Sequence, residues 1–214
     1  MARLRSGKKT FIWAIIMSAP SPLVIGLGLI VGRSSTQIAD FVRKTAELLA
    51  IIISFVVYLM TKKDVYDRVT KQKMERQANI FVGLMMNCAG IIMLILTFII
   101  SHEDKGNVLP ALAIVVFGGS VNSIFWLRYS RLYKARQNSI FKVQIRLYRS
   151  KTLVDLSVII ALLSILISPD SVVSYWIDIV GSIIVSIYLT CSGARTIYKE
   201  RKRVIKGLEK QAEK

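Results

Sequence analysis

Long runs without charged residues alternate with short, strongly basic segments along this sequence. The uncharged runs are about 20 residues long, which is the length an α-helix needs to cross the hydrocarbon core of a bilayer. Inside that core every backbone polar group must be satisfied within the protein, which favours helices. Of the 214 residues 20% are charged, against roughly 25% in soluble domains. The pattern therefore predicts an all-α polytopic membrane protein.

Six apolar runs are long enough to be transmembrane helices. The first resembles a signal sequence, but it is too long and lacks a clear cleavage site, so we expect it to be retained as a span. Pro20 and Pro22 interrupt it and predict a kink there. The predicted spans cover residues 11–31, 38–60, 78–100, 108–127, a fifth run ending near 167, and 172–190.

The distribution of lysine and arginine predicts the orientation. Of 30 such residues, 4 lie at the N-terminus, 6 follow span two, 8 lie between spans four and five and 8 lie in the tail. Short cytoplasmic loops carry this excess, so both termini are expected on the cytoplasmic side. The domain prediction is a cytoplasmic N-terminus at 1–10, a six-helix transmembrane domain at 11–193 and a basic cytoplasmic tail at 194–214.

The net charge of +17 would suit a nucleic-acid-binding protein, but topology explains the basic segments. Membrane lipid is the expected partner, and nucleic acid is not. The sequence has no GxSxG, HExxH, Walker or CxxC motif, and its single histidine, His102, lies in a polar turn. Cys88 and Cys191 lie in apolar runs and are expected to be small buried side chains. We therefore expect no enzymatic activity, no cofactor and no resident metal.

Two pairs of charged residues lie within the predicted spans. Arg43 and Glu47 are four residues apart in span two, and Lys151 and Asp155 are four apart in span five. Residues with this spacing share one face of a helix. Because a charge at membrane depth costs at least about 2.5–3.5 kcal/mol, such residues indicate a functional site. The interpretation we favour is one buried polar centre between spans two and five.

The alternative is that the cations extend to the headgroups and pair locally with the carboxylates. Lys44 lies off the shared face and is assigned to the headgroups, whereas Asp40 precedes Arg43 by one turn on nearly the same face and is expected to support the centre. Further polar residues supporting the centre are expected at Asn87 and Asn122, where interhelical hydrogen bonding is the simpler interpretation, and at Asp178 of span six.

The arrangement resembles the transmembrane domain of the cation diffusion facilitator family of metal/proton antiporters. The resemblance covers about residues 35–200, and its best stretches are IADFVRKTAELLAIIISF, VVFGGSVNSIFWLRYSRL and SKTLVDLSVIIALLSILI. It implies a homodimer of six-span protomers that exports a divalent cation in exchange for protons. In that family four Asp or His side chains on spans two and five bind the metal.

Carried over by position, those four places are Arg43, Glu47, Lys151 and Asp155, so two ligands are replaced by cations. Zinc needs lone-pair donors, and arginine has none. Crossed pairs, Arg43 with Asp155 and Lys151 with Glu47, would neutralise the centre without a metal. The resemblance thus implies the fold but not standard zinc transport.

Three functions fit these observations. The first is a proton-coupled transporter of a small ion other than zinc, since a desolvated lysine can release its proton. The second is a transport-inactive relative that acts as a membrane scaffold or partner subunit. The third is a protein that acts on anionic lipid through its basic loops. A short chain without a transit peptide favours the plasma membrane.

Overall fold

The computed structural model describes residues 2–31, 35–62, 65–99, 108–167 and 172–212. These residues form seven helices and no strand, which confirms the all-α prediction. The helices are α1 (Ala2–Ser18), α2 (Pro20–Val31), α3 (Ser35–Met60), α4 (Arg68–Ile99), α5 (Val108–Arg136), α6 (Ser139–Ile167) and α7 (Val172–Ala212). Among the described residues, four helical stretches are long and apolar enough to cross a membrane: Arg68–Ile99, Leu112–Arg136, Ser139–Ile167 and Ile179–Lys202.

The first two predicted spans are not among these four stretches. Span one is divided at Ala19 into α1, with 17 residues, and α2, with 12 residues. Pro20 begins α2, where its missing N–H costs no helical hydrogen bond. Span two is the single helix α3, but it carries Arg43, Lys44 and Glu47. The count of six spans and the orientation of the termini stay predictions.

The basic segments after spans two and four are largely helical rather than loops. α4 begins at Arg68, ten residues before the predicted start of span three. Asp67 caps it, because its Oδ1 accepts a hydrogen bond from the backbone N–H of Thr70 at 3.3 Å. The hydrogen bonding with Thr70 lowers the pKa of Asp67. Lysine, arginine and glutamine are good helix formers, so the helix continues through the polar sequence.

A two-residue turn joins α5 to α6 in the other basic segment. Gln137 has a φ of 49°, the left-handed conformation that commonly ends a helix. Asn138 then caps α6, since its Oδ1 accepts a hydrogen bond from the N–H of Ile140 at 2.8 Å. Glu75 of α4 accepts hydrogen bonds from Asn138 at 3.1 Å and from Ser139 at 2.6 Å. α4 is thereby tied to the α5–α6 turn.

The end of the bundle where α1, α4 and α6 begin and α3 and α5 end is called the basic end below. Its core is an aromatic cluster formed by Phe11 of α1, Tyr58 of α3, Tyr129 of α5, and Phe141 and Tyr148 of α6. Neighbouring ring centroids lie 5.2 to 6.2 Å apart. Such contacts add to the free energy of burying the rings. The cluster joins four helices below the charged residues of α3 and α6.

α4 packs closely against α7 through small residues. A Cβ atom added to Gly193 would lie 2.6 Å from the carbonyl oxygen of Gly83. Nearer the basic end, Asn79 donates a buried hydrogen bond to Glu200 at 3.3 Å. The two cysteines, Cys88 on α4 and Cys191 on α7, are exposed. Our prediction that they are buried is wrong, because the glycines occupy the contact between these helices.

Candidate functional site

An ion pair joins α3 to α6 inside the bundle. Nζ of Lys151 lies 3.2 Å from Oε2 of Glu47, and the two side chains are only 11% and 10% exposed. Oppositely charged groups attract more strongly in such a site than in water. Their desolvation costs free energy, so each partner depends on the other. We call this pair, together with Asp155, the ion-pair centre.

The two helices are antiparallel and in a constant register. Tyr58 faces Phe141, with ring centroids 5.2 Å apart. One turn further, Gln144 donates a hydrogen bond to the hydroxyl of Ser54 at 2.8 Å. In these two pairs and in Glu47–Lys151 the residue numbers add to 198 or 199. The polar side chains of α3 and α6 therefore form a ladder that ends at the ion-pair centre.

The same register places both Arg43 and Lys44 opposite Asp155, since their numbers added to 155 give 198 and 199. Lys44 acts electrostatically on both Asp155 and Glu47. The sequence assigned Lys44 to the headgroups, because it lies off the face shared by Arg43 and Glu47. Residues three and four positions before Glu47 flank the same helix stripe, so the half-buried Lys44 lies beside the face of the ladder. Lys44 therefore joins the candidate site.

Asp155 packs against two residues of α5. Its Oδ2 accepts a hydrogen bond from Nδ2 of Asn122 at 2.7 Å. One turn earlier on α5, a Cβ atom added to Gly119 would lie 3.2 Å from Cβ of Asp155. The glycine thus allows α5 to approach α6 at the carboxylate. Asn122, predicted as a supporting polar residue, contacts the centre directly.

The remaining predicted residues lie in different places. Arg43 is half-buried on α3 and acts electrostatically on Glu47. Asn87 lies at the α4–α7 contact, where a Cβ added to Gly193 would lie 2.8 Å from its Oδ1. The side chains of Asp40 and Asp178 lie outside the described part of the chain. Whether Arg43 completes the second crossed pair with Asp155 stays a prediction.

The donor set at the centre differs from that of a zinc site. Zinc takes four lone-pair donors in a tetrahedron, whereas here an ammonium group occupies the space between the helices beside one carboxylate. In the described ranges no three side chains of the His, Cys, Asp and Glu types approach closely enough to hold a metal ion. The arrangement can instead hold a proton or exchange a counter-ion at its carboxylates.

Two residues of the ladder were missed in the sequence. Ser54 follows Glu47 by seven residues, and Gln144 precedes Lys151 by seven. Two helical turns separate each pair, so both polar residues lie on the face of their charged neighbour. This spacing was the available signal. Serine and glutamine are ordinary residues near a membrane interface, so neither indicates a site until its partner on the other helix is known.

Helices of membrane-spanning length around a buried ion pair define an integral membrane protein with a charged interior. The family model described as the cation efflux transmembrane domain matches residues 11–203. The chain belongs to the cation efflux family, as its resemblance to the cation diffusion facilitators indicated. Its class is therefore membrane transport of cations, and its family consists of transporters and not enzymes. A comparison with curated proteins gives no match.

Proposed function

We propose that the protein is a proton-coupled cation transporter in which the Lys151–Glu47 pair replaces the metal site of its relatives. The observation that supports this function is the 3.2 Å ion pair between α3 and α6. Carried over by position from the family, this pair lies at two of the four places that bind metal there. The other two positions carry Arg43 and Asp155.

The charges around the centre favour a monovalent cation over zinc. With Arg43 and Lys44 beside Glu47, a divalent ion meets twice the repulsion of a monovalent one. If a monovalent cation binds the carboxylates while Lys151 releases its proton, the net charge of the centre is unchanged. Exchange of one cation for one proton therefore avoids adding a buried charge.

The membrane arrangement in this proposal has six spans, with the basic end facing the cytoplasm. The excess of lysine and arginine near that end supports the orientation. The family resemblance supports a homodimer, and we propose the plasma membrane as its location. In the same arrangement the basic tail at 194–214 is cytoplasmic.

The ion pair also supports a second candidate, a transport-inactive scaffold or partner subunit. A buried pair that spans α3 and α6 stabilises one arrangement of the two helices. Alternating access requires at least two arrangements. If the pair cannot exchange its proton, the helices stay in place and nothing is transported.

Flux measurements distinguish these functions. The purified full-length protein is reconstituted in liposomes containing a pH-sensitive dye and is exposed in turn to Na⁺, K⁺, Mn²⁺ and Zn²⁺ gradients. We expect proton flux with a monovalent cation and none with zinc, and loss of the flux in Lys151→Met. Zinc-driven proton flux in the wild type would contradict the proposal. Absence of proton flux with every cation would favour the transport-inactive scaffold.

A second test restores the ligands of the family. The double variant Arg43→Asp, Lys151→His supplies four donor side chains together with Glu47 and Asp155, so we expect it to bind zinc. Isothermal titration of the protein in detergent measures the binding. The matched control is Lys151→His alone, which keeps Arg43 and should bind no zinc. A double variant that binds no better than this control would contradict the positional assignment.

A further inference from the structure

Among the described residues, buried polar atoms without a hydrogen-bond partner lie in the ladder between α3 and α6 and beside it on α5. Gln144 is fully buried, and its Nε2 donates to Ser54, but its Oε1 has no hydrogen-bond partner among the described residues. The hydroxyl of Tyr129 is likewise buried and, within those ranges, unpartnered. An unsatisfied buried polar group costs about 1–3 kcal/mol. Proteins commonly meet this cost with buried water, bound by 2–4 polar atoms.

The residues of the ladder form a line along α3 and α6 from the ion-pair centre to the basic end. Along α3 the line passes Glu47, Ser54 and Tyr58, and 11 residues of helix are about 16 Å long. Along α6 it passes Gln144 and Tyr148. The ring of Tyr148 has its centroid 5.4 Å from Nζ of Lys151 and 5.4 Å from the ring of Tyr129.

A cavity lies at the basic end, and Tyr58, at the end of the line, contributes to its wall. This cavity has a volume of about 500 Å³, and Tyr58, Thr61, Glu75 and Arg136 contribute to its wall. Arg136 donates a hydrogen bond to the hydroxyl of Tyr58 at 3.2 Å. Tyr58 therefore has its ring in the aromatic cluster and its hydroxyl at the cavity. Polar groups thus extend from surface to centre.

We propose that Gln144, Ser54 and the hydroxyls of Tyr129 and Tyr148 hold a chain of water molecules that carries protons between the Lys151–Glu47 pair and the cavity at the basic end. The role of this path in transport rests on the proposed function. Each water accepts one proton from one neighbour and passes another on, so no charge remains in the path and no group is oxidised or reduced.

The packing around the path excludes larger ions. Phe11 lies with its ring centroid 5.3 Å from those of both Tyr58 and Tyr129. Rings at this separation are in contact, so a cation with its hydration shell cannot pass between them. A single water molecule needs far less space and can lie beside a hydroxyl group at the edge of a ring, where it has a polar partner. The path therefore conducts protons but not the transported cation, which keeps the two routes separate.

Hydroxyl radicals generated by X-ray radiolysis of water test for the waters directly, without transport. The full-length protein in nanodiscs is irradiated and its oxidised side chains are measured by mass spectrometry. We expect labelling of Tyr129 and Tyr148 above that of Phe11 and Phe125, which are equally buried rings. If the tyrosines are labelled no more than these phenylalanines, the interior is dry and the proposal is overturned.

A pair of variants tests the role of the ladder. Gln144→Leu with Ser54→Ala removes its polar atoms, and we expect loss of labelling at Tyr148 and slower proton flux in the liposome assay. The control is Ser150→Ala, since the buried hydroxyl of Ser150 donates only to the backbone of its own helix at Arg146. If the wild type is labelled but the ladder variant keeps the wild-type proton flux, the proton role is overturned. If the wild-type tyrosines are labelled but the wild type shows no proton flux, both that role and the proposed function are overturned. The hydration of the ladder would then still stand.

Discussion

Replacing Glu47 with alanine should destabilise the protein by about 3–5 kcal/mol, the usual cost of leaving one partner of a buried ion pair behind. The loss leaves Lys151 without its carboxylate in a site that is about one-tenth exposed. Lys44 and Arg43 also act electrostatically on Glu47. Without that carboxylate, their positive charges repel the ammonium group of Lys151. Unfolding of the full-length protein in mixed micelles, followed by circular dichroism, measures the change.

A double-mutant cycle separates the ion pair from simple loss of packing. Glu47→Leu and Lys151→Met should each destabilise, whereas the double variant that combines the same two substitutions should recover much of the loss, since an apolar pair of similar volume avoids the desolvation cost. Asp67→Ala is the control for loss of an exposed carboxylate, and it should cost only the smaller free energy of a helix cap. Additive effects of the two single variants would show that the side chains do not interact and would contradict the ion-pair centre.

The membrane class and the two charged pairs could be predicted from the sequence because both depend on local patterns. Charge segregation follows directly from the solvent that each segment meets. The i,i+4 spacing places Glu47 with Arg43, and Asp155 with Lys151, whatever the fold around them. Since the Lys151–Glu47 contact then required only that α3 and α6 face each other, the crossed pair could be anticipated.

The partners of Asp155 could not be predicted in the same way. Its contacts depend on the rotation of α3 and on how closely α5 approaches, and neither is a local property. Gly119 permits that approach, but a glycine in an apolar run has many uses. The role of Lys44 depends on the antiparallel register, which becomes visible only when Ser54 is seen beside Gln144.

The ends of the helices could not be taken from the ends of the predicted spans, for a different reason. A hydropathy pattern ends a span where charges begin, but a helix ends only where its backbone hydrogen bonding ends. α5 therefore continues to Arg136, and α7 continues through the basic tail to Ala212. The extended basic ends bring Glu75 to the α5–α6 turn and place the aromatic cluster below the ion-pair centre.

The second large effect is expected at the contact between α4 and α7. In Gly193→Ala the new Cβ would lie 2.6 Å from the backbone oxygen of Gly83 and 2.8 Å from Oδ1 of Asn87. Backbone atoms cannot rotate away as a side chain can, so the helices must separate. Overpacking of this kind costs about 1–3 kcal/mol, occasionally more. The same unfolding assay measures the loss, and Gly83→Ala should act in the same direction.

Gly118→Ala is the matched control for this substitution. Gly118 lies within α5, and a Cβ added there meets nothing within 4 Å. Alanine is favoured over glycine in a helix by about 0.5–1 kcal/mol, so Gly118→Ala should be neutral or stabilising while Gly193→Ala is destabilising. Both substitutions make the same chemical change in a helix interior, so their difference isolates the helix contact. Equal stability of the two variants would mean that α4 and α7 do not pack through their glycines. The assignment of Asn87 to the contact between these helices would then be wrong.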